Sequence, residues 1–345
     1  MSTTTALVVS PLSALYSLVT RARLAAYRRK LLAVTELDLP VISVGNLTTG
    51  GTGKTPLVEW ACQVLAAQGR KVCVLTRGYG RADSSSQIVV SDGDQILDDV
   101  SATGDEPLLL AKNLSGIAAV VCNPNRVAAA HWAIDNFGSN TFVLDDGFQH
   151  LQLARNLNIL TIDAANPWGG GMLPYGHLRE PINGMRRADC IVLTRTGAQI
   201  NTAATVETIR RFAPTVPIFT SQMVTSGVRA MNGQITEPPA ASEPVAALCA
   251  IGNPASFFEQ VRRAGYSLVR ERAFRDHYYY QQSDIDHFVA DAKRSGAMSI
   301  FTTAKDAVKL TALTFDLPCY VLEIKIAIDN EADFMKLFTQ LARSN

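Results

Sequence analysis

The stretch VGNLTTGGTGKTP (residues 44–56) places Gly50, Gly51 and Gly53 directly ahead of Lys54 and Thr55. Glycines let a backbone approach an anion closely, a lysine reaches β- and γ-phosphates, and a threonine hydroxyl can bind Mg²⁺. The strict phosphate-loop pattern G-x-x-x-x-G-K-[ST] asks for a glycine five residues before Gly53, and that position is Thr48. Context restores the reading. VISVGN has the character of a strand, LTTGGTG of a turn, and KTPLVEWACQVLAAQG of a helix. The backbone N–H groups around Gly50, Gly51, Thr52 and Gly53 then meet a helix N-terminus where a nucleotide phosphate would sit. A plain strand-to-helix turn accounts for the glycines but not for Lys-Thr at the helix start. No G-x-G-x-x-G can be written through the turn, which argues against a dinucleotide fold.

Phosphoryl transfer also needs an acid near the metal, usually at the end of a neighbouring strand. TFVLDDGFQH offers Asp145 and Asp146 at a strand's C-terminal end, where open α/β sheets bind ligands. An Asp-Asp-Gly turn cap is the alternative. Asp105 and Glu106 open a helix in GDEPLLLA, and taken alone they read as acids favoured by the helix dipole. Arg126 also begins a helix, an unfavourable place for a cation unless an anion is near, so it is a candidate phosphate contact. The loop GMLPYGHLREP, with Arg179 and Glu180, has the composition of a substrate loop. RGYGR, containing Arg77 and Tyr79, is a glycine-hinged turn whose two arginines suit an anion. His277 stands beside Asp276 and three tyrosines before a helix. Alone, such a histidine is as readily a surface residue.

These groups need a scaffold, and the chain supplies one from residue 40 onward. Apolar runs (PVISVGN, KVCVLT, QIVVS, AAVVC, TFVLDD, NILTID, CIVLTR) alternate with helical stretches at 54–68, 105–114, 126–137 and 202–213. Near-continuous Val/Ile/Leu strands separated by helices predict an α/β fold, a mostly parallel sheet with helices on both faces. Composition shifts to Pro, Ser and Gly around 214–245, with Asn232-Gly233 as a hairpin signal, and the domain junction is expected there. A smaller second α/β domain follows. The expected division is residues 1–35 as an N-terminal helical segment, 36–225 as the phosphate-loop core, and 226–345 as the second domain, whose end is free to return to the core.

At 345 residues, 47% hydrophobic and 18% charged with net charge +1, the chain is an ordinary globular one. That balance argues against a nucleic-acid partner. Six scattered cysteines without C-x-x-C spacing read as buried free thiols rather than a zinc site or disulfides. The N-terminus departs from this evenness. Residues 6–20 carry no charge, and Arg21, Arg23, Arg28, Arg29 and Lys30 follow before any acid. The run is short of the roughly 20 residues a membrane span needs, and its charge follows the apolar run, unlike a signal peptide. An amphipathic helix at an anionic membrane interface and a helix packed on the protein's own core both fit.

Taken together, VGNLTTGGTGKTP, TRGYGR, GDEPLLLA, NPNRVAAA, DDGFQHLQLAR, LREP, IGNPASFF, FRDHYYY and TTAKDAVKL occur in the order of the tetraacyldisaccharide 4′-kinase family, and the chain resembles that family from its N-terminal segment to about residue 325. The resemblance implies a P-loop NTPase-like fold and ATP- and Mg²⁺-dependent phosphorylation of the lipid A disaccharide precursor. It implies a peripheral location on the cytoplasmic face of the bacterial inner membrane, with the N-terminal segment on the anionic surface. It also implies roles. Lys54 and Thr55 become the P-loop lysine and the magnesium-binding threonine. Asp145 and Asp146 become Walker-B-like acids with Gln149 and His150 beside them. Asp105 becomes a general base paired with His277, with Glu106 near the metal. Arg126, Arg179 and Glu180 line the nucleotide or substrate site. Tyr278, Tyr175, His177, Ala304 and Asn125 depart from the family pattern without removing an assigned residue. A membrane-associated NTPase switch is a second reading, disfavoured because Thr49 stands where such loops carry lysine. A kinase of a soluble small molecule is a third, and it leaves the apolar-then-basic N-terminus unexplained.

Overall fold

The computed structural model describes residues 3–78, 83, 85–98, 100–197, 200–231 and 237–341. The chain groups into two compact units. Unit one is Met1–Asp98, Leu110–Gln222 and Ile326–Asn345, and unit two is Asp99–Leu109 with Met223–Lys325. The first elements are α1 (Thr3–Arg28), β1 (Val41–Asn46), α2 (Lys54–Ala67), β2 (Val72–Thr76), β3 (Ile88–Ser91), α3 (Val100–Thr103) and α4 (Asp105–Asn113). Then come β4 (Ala118–Cys122), α5 (Arg126–Phe137), β5 (Thr141–Asp145), β6 (Leu157–Asp163), a 3-10 helix (Ile182–Arg187), β7 (Cys190–Thr194), α6 (Ala203–Phe212) and β8 (Ile218–Ala230). The last are β9 (Pro244–Cys249), α7 (Pro254–Arg263), β10 (Ser267–Ala273), α8 (Gln282–Arg294), β11 (Ser299–Thr303), α9 (Ala304–Leu310), β12 (Cys319–Ile328) and α10 (Glu331–Leu341).

In unit one the strand order is β8-β7-β6-β1-β5-β2-β4-β3. Every pairing is parallel except the edge pair β3–β4. Strands β1, β2, β4, β5 and β7 are buried at every position, as a sheet covered on both faces requires. Cys73, Leu75, Ala119, Val121, Phe142 and Leu144 pack in one cluster with Ala129, Ala130 and Ala133 of α5. The buried residues of α2 (Leu57, Val58, Trp60, Ala61, Cys62, Leu65) are absent from that cluster, so α2 covers the opposite face. Asn125 caps α5 by accepting from the Ala128 N–H at 3.1 Å, and Gly138 ends it in the left-handed region. The Asn125 departure therefore keeps the capping role that aspartate would fill. Parallel register sets Val44 beside Asp145 and Asn46 beside Thr161, so the strand ends that carry the site residues lie together.

In unit two the order β10-β9-β11-β12 is parallel throughout. Phe288, Ile285 and Ala292 of α8 pack with Ala246, Leu248, Ile300 and Val321. The composition shift at 214–245 contains the 13-residue strand β8, buried or half-buried over its first four residues and half-buried or exposed beyond them. The Asn232-Gly233 hairpin signal lies outside the described residues. All six cysteines are free and buried, and burial pushes the Cys249 and Cys319 thiols up to about 12. Among the described residues no helix is long and apolar enough to cross a membrane.

Candidate active site

The turn after β1 is built to hold a fixed shape. Gly53 caps α2 with φ 75°, a left-handed conformation that glycine adopts without a Cβ penalty. The Thr52 side chain turns inward, its Oγ1 2.9 Å from both Asn46 Nδ2 and Thr161 Oγ1. Only the backbone of Thr52 is thus left to face a phosphate. At Gly45 a Cβ would come within 2.6 Å of the Phe148 nitrogen, so glycine is what lets β1 approach the loop that follows β5. Pro56 falls in the first turn of α2, where its missing N–H costs nothing.

Lys54 stands at the first position of α2, with Nζ 3.5 Å from Asp146 Oδ1. Asp146 has φ 53°, unusual for a residue other than glycine. Its carboxylate is taken by Arg179 in a two-pronged pair, Nη1 to Oδ2 at 2.7 Å and Nη2 to Oδ1 at 2.9 Å. Burial works against the ionised form, but Lys54 and Arg179 outweigh it and hold the Asp146 carboxyl down at about 2. The acid expected at a metal is thus engaged by two cations. Asp145, buried at the end of β5, accepts from Thr76 Oγ1 at 3.1 Å. Thr55 follows Lys54 in the first turn of α2.

The loop between β6 and the 3-10 helix is laced to this turn. The Thr49 N–H donates to the His177 carbonyl at 2.7 Å, and the Arg179 N–H to the Leu47 carbonyl at 2.8 Å. Thr49 Oγ1 also meets His177 Nδ1 at 3.0 Å, so this departure from the family pattern fastens the loop. Arg179 Nε donates to the Thr48 carbonyl at 3.0 Å. Gln149 Nε2 donates to the Asn46 carbonyl at 2.8 Å and to Glu180 Oε1 at 2.9 Å. Arg187 Nη2 pairs with the same Glu180 Oε1 at 2.8 Å. Glu180 is 1% exposed, so it braces the site from inside. The His150 imidazole is pushed down to about 4, first by burial and then by the positive field of Arg126, Arg155, Arg23 and Arg77. That field suits an anion. Arg126 itself is buried and donates to the Pro124 carbonyl at 3.3 Å. Tyr79 lies outside the described residues.

Helix α1 touches this loop and the one that follows β5. Ser13 Oγ donates to the Met172 carbonyl at 3.2 Å, Tyr16 Oη to the Arg179 carbonyl at 3.1 Å, and Arg23 Nη2 to the Gln149 carbonyl at 3.2 Å. A separate stripe of the helix leaves Leu12, Leu15, Leu18 and Val19 half or more exposed.

Asp105 and His277 both belong to unit two, because the segment that opens α4 groups there. His277 Nδ1 lies 3.3 Å from Asp105 Oδ2. The hydrogen bond with Asp105 raises the His277 imidazole above its ordinary range. Burial opposes ionisation of Asp105, but the His277 bond and the Lys309 charge prevail and lower its carboxyl. Lys305 Nζ sits 3.4 Å from His277 Nε2 and 3.2 Å from Asp276 Oδ1. Glu106, expected near the metal, is half-buried and faces Lys305 at 3.6 Å. Tyr278 Oη donates to Asp284 Oδ2 at 3.2 Å, and Ala304 opens α9.

Sequence reasoning missed Lys309, Lys305 and Arg195. Arg195 Nη2 donates to the Gly51 carbonyl at 2.6 Å, and Nη1 pairs with Asp163. Its one sequence signal was its place just past the C-terminal end of β7. No group of three or more His, Cys, Asp or Glu residues able to hold a metal occurs among the described residues.

A family model for tetraacyldisaccharide-1-P 4′-kinase, LpxK, matches residues 5–343. A tetraacyldisaccharide 4′-kinase of Geobacter sulfurreducens is 41% identical over 328 residues, 91% of this chain and 87% of that one. One from Geobacter metallireducens is 40% identical over 307 residues, 87% of each chain. Among solved structures, the "apo" form of LpxK from Aquifex aeolicus in complex with ATP matches with a TM-score of 0.77 and 29% identity, over 96% of this chain and 97% of that one. With likeness running through both units and over nearly the whole of each relative, the chain belongs to the tetraacyldisaccharide-1-P 4′-kinase family.

Proposed function

We propose that this protein transfers the γ-phosphoryl group of ATP to the 4′-hydroxyl of a tetraacylated glucosamine disaccharide 1-phosphate, giving lipid IVA in lipid A biosynthesis. Within the family, the observation that carries the residue assignment is Lys54 at the head of α2, 3.5 Å from Asp146, behind a glycine-capped turn. Lys54 exchanges Asp146 for the β- and γ-phosphate oxygens when nucleotide binds, while Arg179 keeps Asp146 in place. Thr55 and Asp145 would hold Mg²⁺ through the hard oxygen donors that it takes from protein. Asp146 would be a further oxygen donor to the ion once Lys54 is on phosphate. Glu106, 3.6 Å from Lys305, is the further acid expected near the metal. When bound, the metal ion neutralises charge that develops on the transferred group. Asp105 accepts the proton of the attacking hydroxyl, and His277 orients its carboxylate. Arg77, Arg126 and His150 face the anionic parts of the ligands.

The exposed leucines of α1 support a peripheral site of action on the cytoplasmic face of the inner membrane, with the arginines toward anionic head groups. Incubation with ATP, Mg²⁺ and a panel of acylated glucosamine disaccharides, read by mass spectrometry for one added phosphate, tests the reaction. Lys54→Ala is expected to lower turnover about 10²-fold or more, as loss of a preorganised charge contact does. Wild-type turnover in a folded Lys54→Ala protein would show that the turn is only structural.

A further inference from the structure

Helix α9 carries two inward-facing charges one turn apart, Asp306 and Lys309. Asp306 is fully buried and well supplied with donors. Its Oδ2 accepts from the Ala250 N–H at 3.0 Å and from Thr303 Oγ1 at 2.7 Å, and its Oδ1 accepts from Tyr280 Oη at 3.0 Å. Lys309, 3% exposed, has Nζ 3.6 Å from Asp306 Oδ1 but only 3.1 Å from Asp105 Oδ2. The nearer partner is therefore the carboxylate read above as the base. The oxygen that Lys309 touches is also the one that faces His277 Nδ1 at 3.3 Å.

A buried ammonium group is expensive to desolvate, and a buried ion pair is a weak source of stability. Asp306, already held by three donors, gives little reason for the lysine. Without it, Asp105 and Asp306 would be two buried acids sharing one environment. We infer that Lys309 is a positioning residue for the phosphoryl-transfer step: its ammonium group, within ion-pair range of Asp306 and closer to Asp105, draws Oδ2 of Asp105 toward α9 and turns Oδ1 to the acceptor hydroxyl. The inference rests on the reading of Asp105 as the base. The groups facing Asp105 are His277 from the segment before α8, Lys309 from α9 and the Tyr280 phenol beyond it. Of these, Lys309 is the one with almost no solvent access.

The test is a kinetic cycle with ATP, Mg²⁺ and acylated glucosamine disaccharide 1-phosphate, using Lys309→Met, Lys309→Arg, Asp105→Asn and the Asp105→Asn/Lys309→Met double variant. Lys309→Met is expected to lower kcat about 10²-fold, the scale of a misplaced base, with the KM for ATP changed less than about threefold. Lys309→Arg should recover at least about tenfold of that loss by restoring the charge. In the Asp105→Asn background, Lys309→Met should change kcat less than about threefold, because a residue acting through Asp105 has nothing left to act on. An equal loss in both backgrounds, or kcat within about threefold of wild type for Lys309→Met, overturns the inference. If Lys309→Met alone does not fold, the double variant, which buries a neutral pair, carries the comparison against Asp105→Asn. Failure of the double variant to fold makes Lys309 a structural lysine and also overturns it. Wild-type kcat for Asp105→Asn would instead remove the base itself, and the positioning role with it.

Discussion

Two half-buried carboxylates of unit one, both raised by burial, end with shifts in opposite directions because of what lies beside them. Asp146 has Lys54 and Arg179 and ionises at about 2. Glu59 accepts from Asn113 Nδ2 at 2.7 Å, but burial dominates and raises its carboxyl to about 7, helped by the charge of Asp145. Folded protein therefore binds a proton at Glu59 between about pH 4.5 and 7 that the unfolded chain has released. The stability tied to that proton is complete below the lower value and is lost as pH rises through the upper one. Glu59→Gln should stabilise the protein relative to wild type by roughly 2 kcal/mol more at pH 8 than at pH 4, measured by urea unfolding at both pH values. Equal differences at the two pH values would show that Glu59 ionises normally. Asp105 and His277 form a second coupled pair. Asp105→Ala and His277→Ala should each lower kcat strongly, and the double variant should be hardly worse than the weaker single. Losses that multiply would mean that the two act independently. Of these groups, Lys54, Thr55, Asp145 and Asp146 were readable from residue type and local context. The Asp105–His277 pairing was not. A contact across 172 residues leaves no local pattern, and only resemblance to a family pointed to it.

At the scale of elements, α1 presents two separate faces. Ser13, Tyr16 and Arg23 bind the carbonyls of Met172, Arg179 and Gln149, while Leu12, Leu15, Leu18 and Val19 face outward. Leu15→Glu with Leu18→Glu should release the protein from anionic vesicles and leave turnover on a detergent-dispersed substrate nearly intact. Neutralising Arg21, Arg28 and Arg29 should weaken binding by roughly 1 kcal/mol per charge, an effect that shrinks with salt. Co-sedimentation with the vesicles reads both. Resistance to carbonate extraction would contradict a peripheral attachment. The apolar strands and the helices after them were legible because fully buried parallel strands leave near-continuous Val/Ile/Leu runs. Helix α9 was not, since seven residues are too few for periodicity to separate a helix from a turn. Lys309 was hidden with it.

At the scale of the molecule, unit one is completed by the end of the chain. Phe334 and Phe338 of α10 are fully buried and pack on Trp60 of α2, with ring centroids 5.0 and 5.3 Å away. Trp60 Nε1 donates to Glu331 Oε1 at 2.7 Å. Phe334→Ala should cost about 3–5 kcal/mol, the usual range for removing a buried aromatic ring, seen as an earlier urea midpoint in tryptophan fluorescence. A loss below about 1 kcal/mol would mean that α10 adds little to the core. Composition could place a boundary near 214–245, but it could not show that Asp99–Leu109 leaves unit one or that Ile326 returns to it. Those choices depend on which distant surfaces complement one another. They also set an order of events during synthesis. Unit two lies wholly between residues 99 and 325, so all of it leaves the ribosome while unit one still lacks α10. Until α10 emerges, Trp60 lacks the rings of Phe334 and Phe338 that pack on it. The nascent nucleotide unit, begun first, is finished last, and it is most open to chaperones and proteases during that interval.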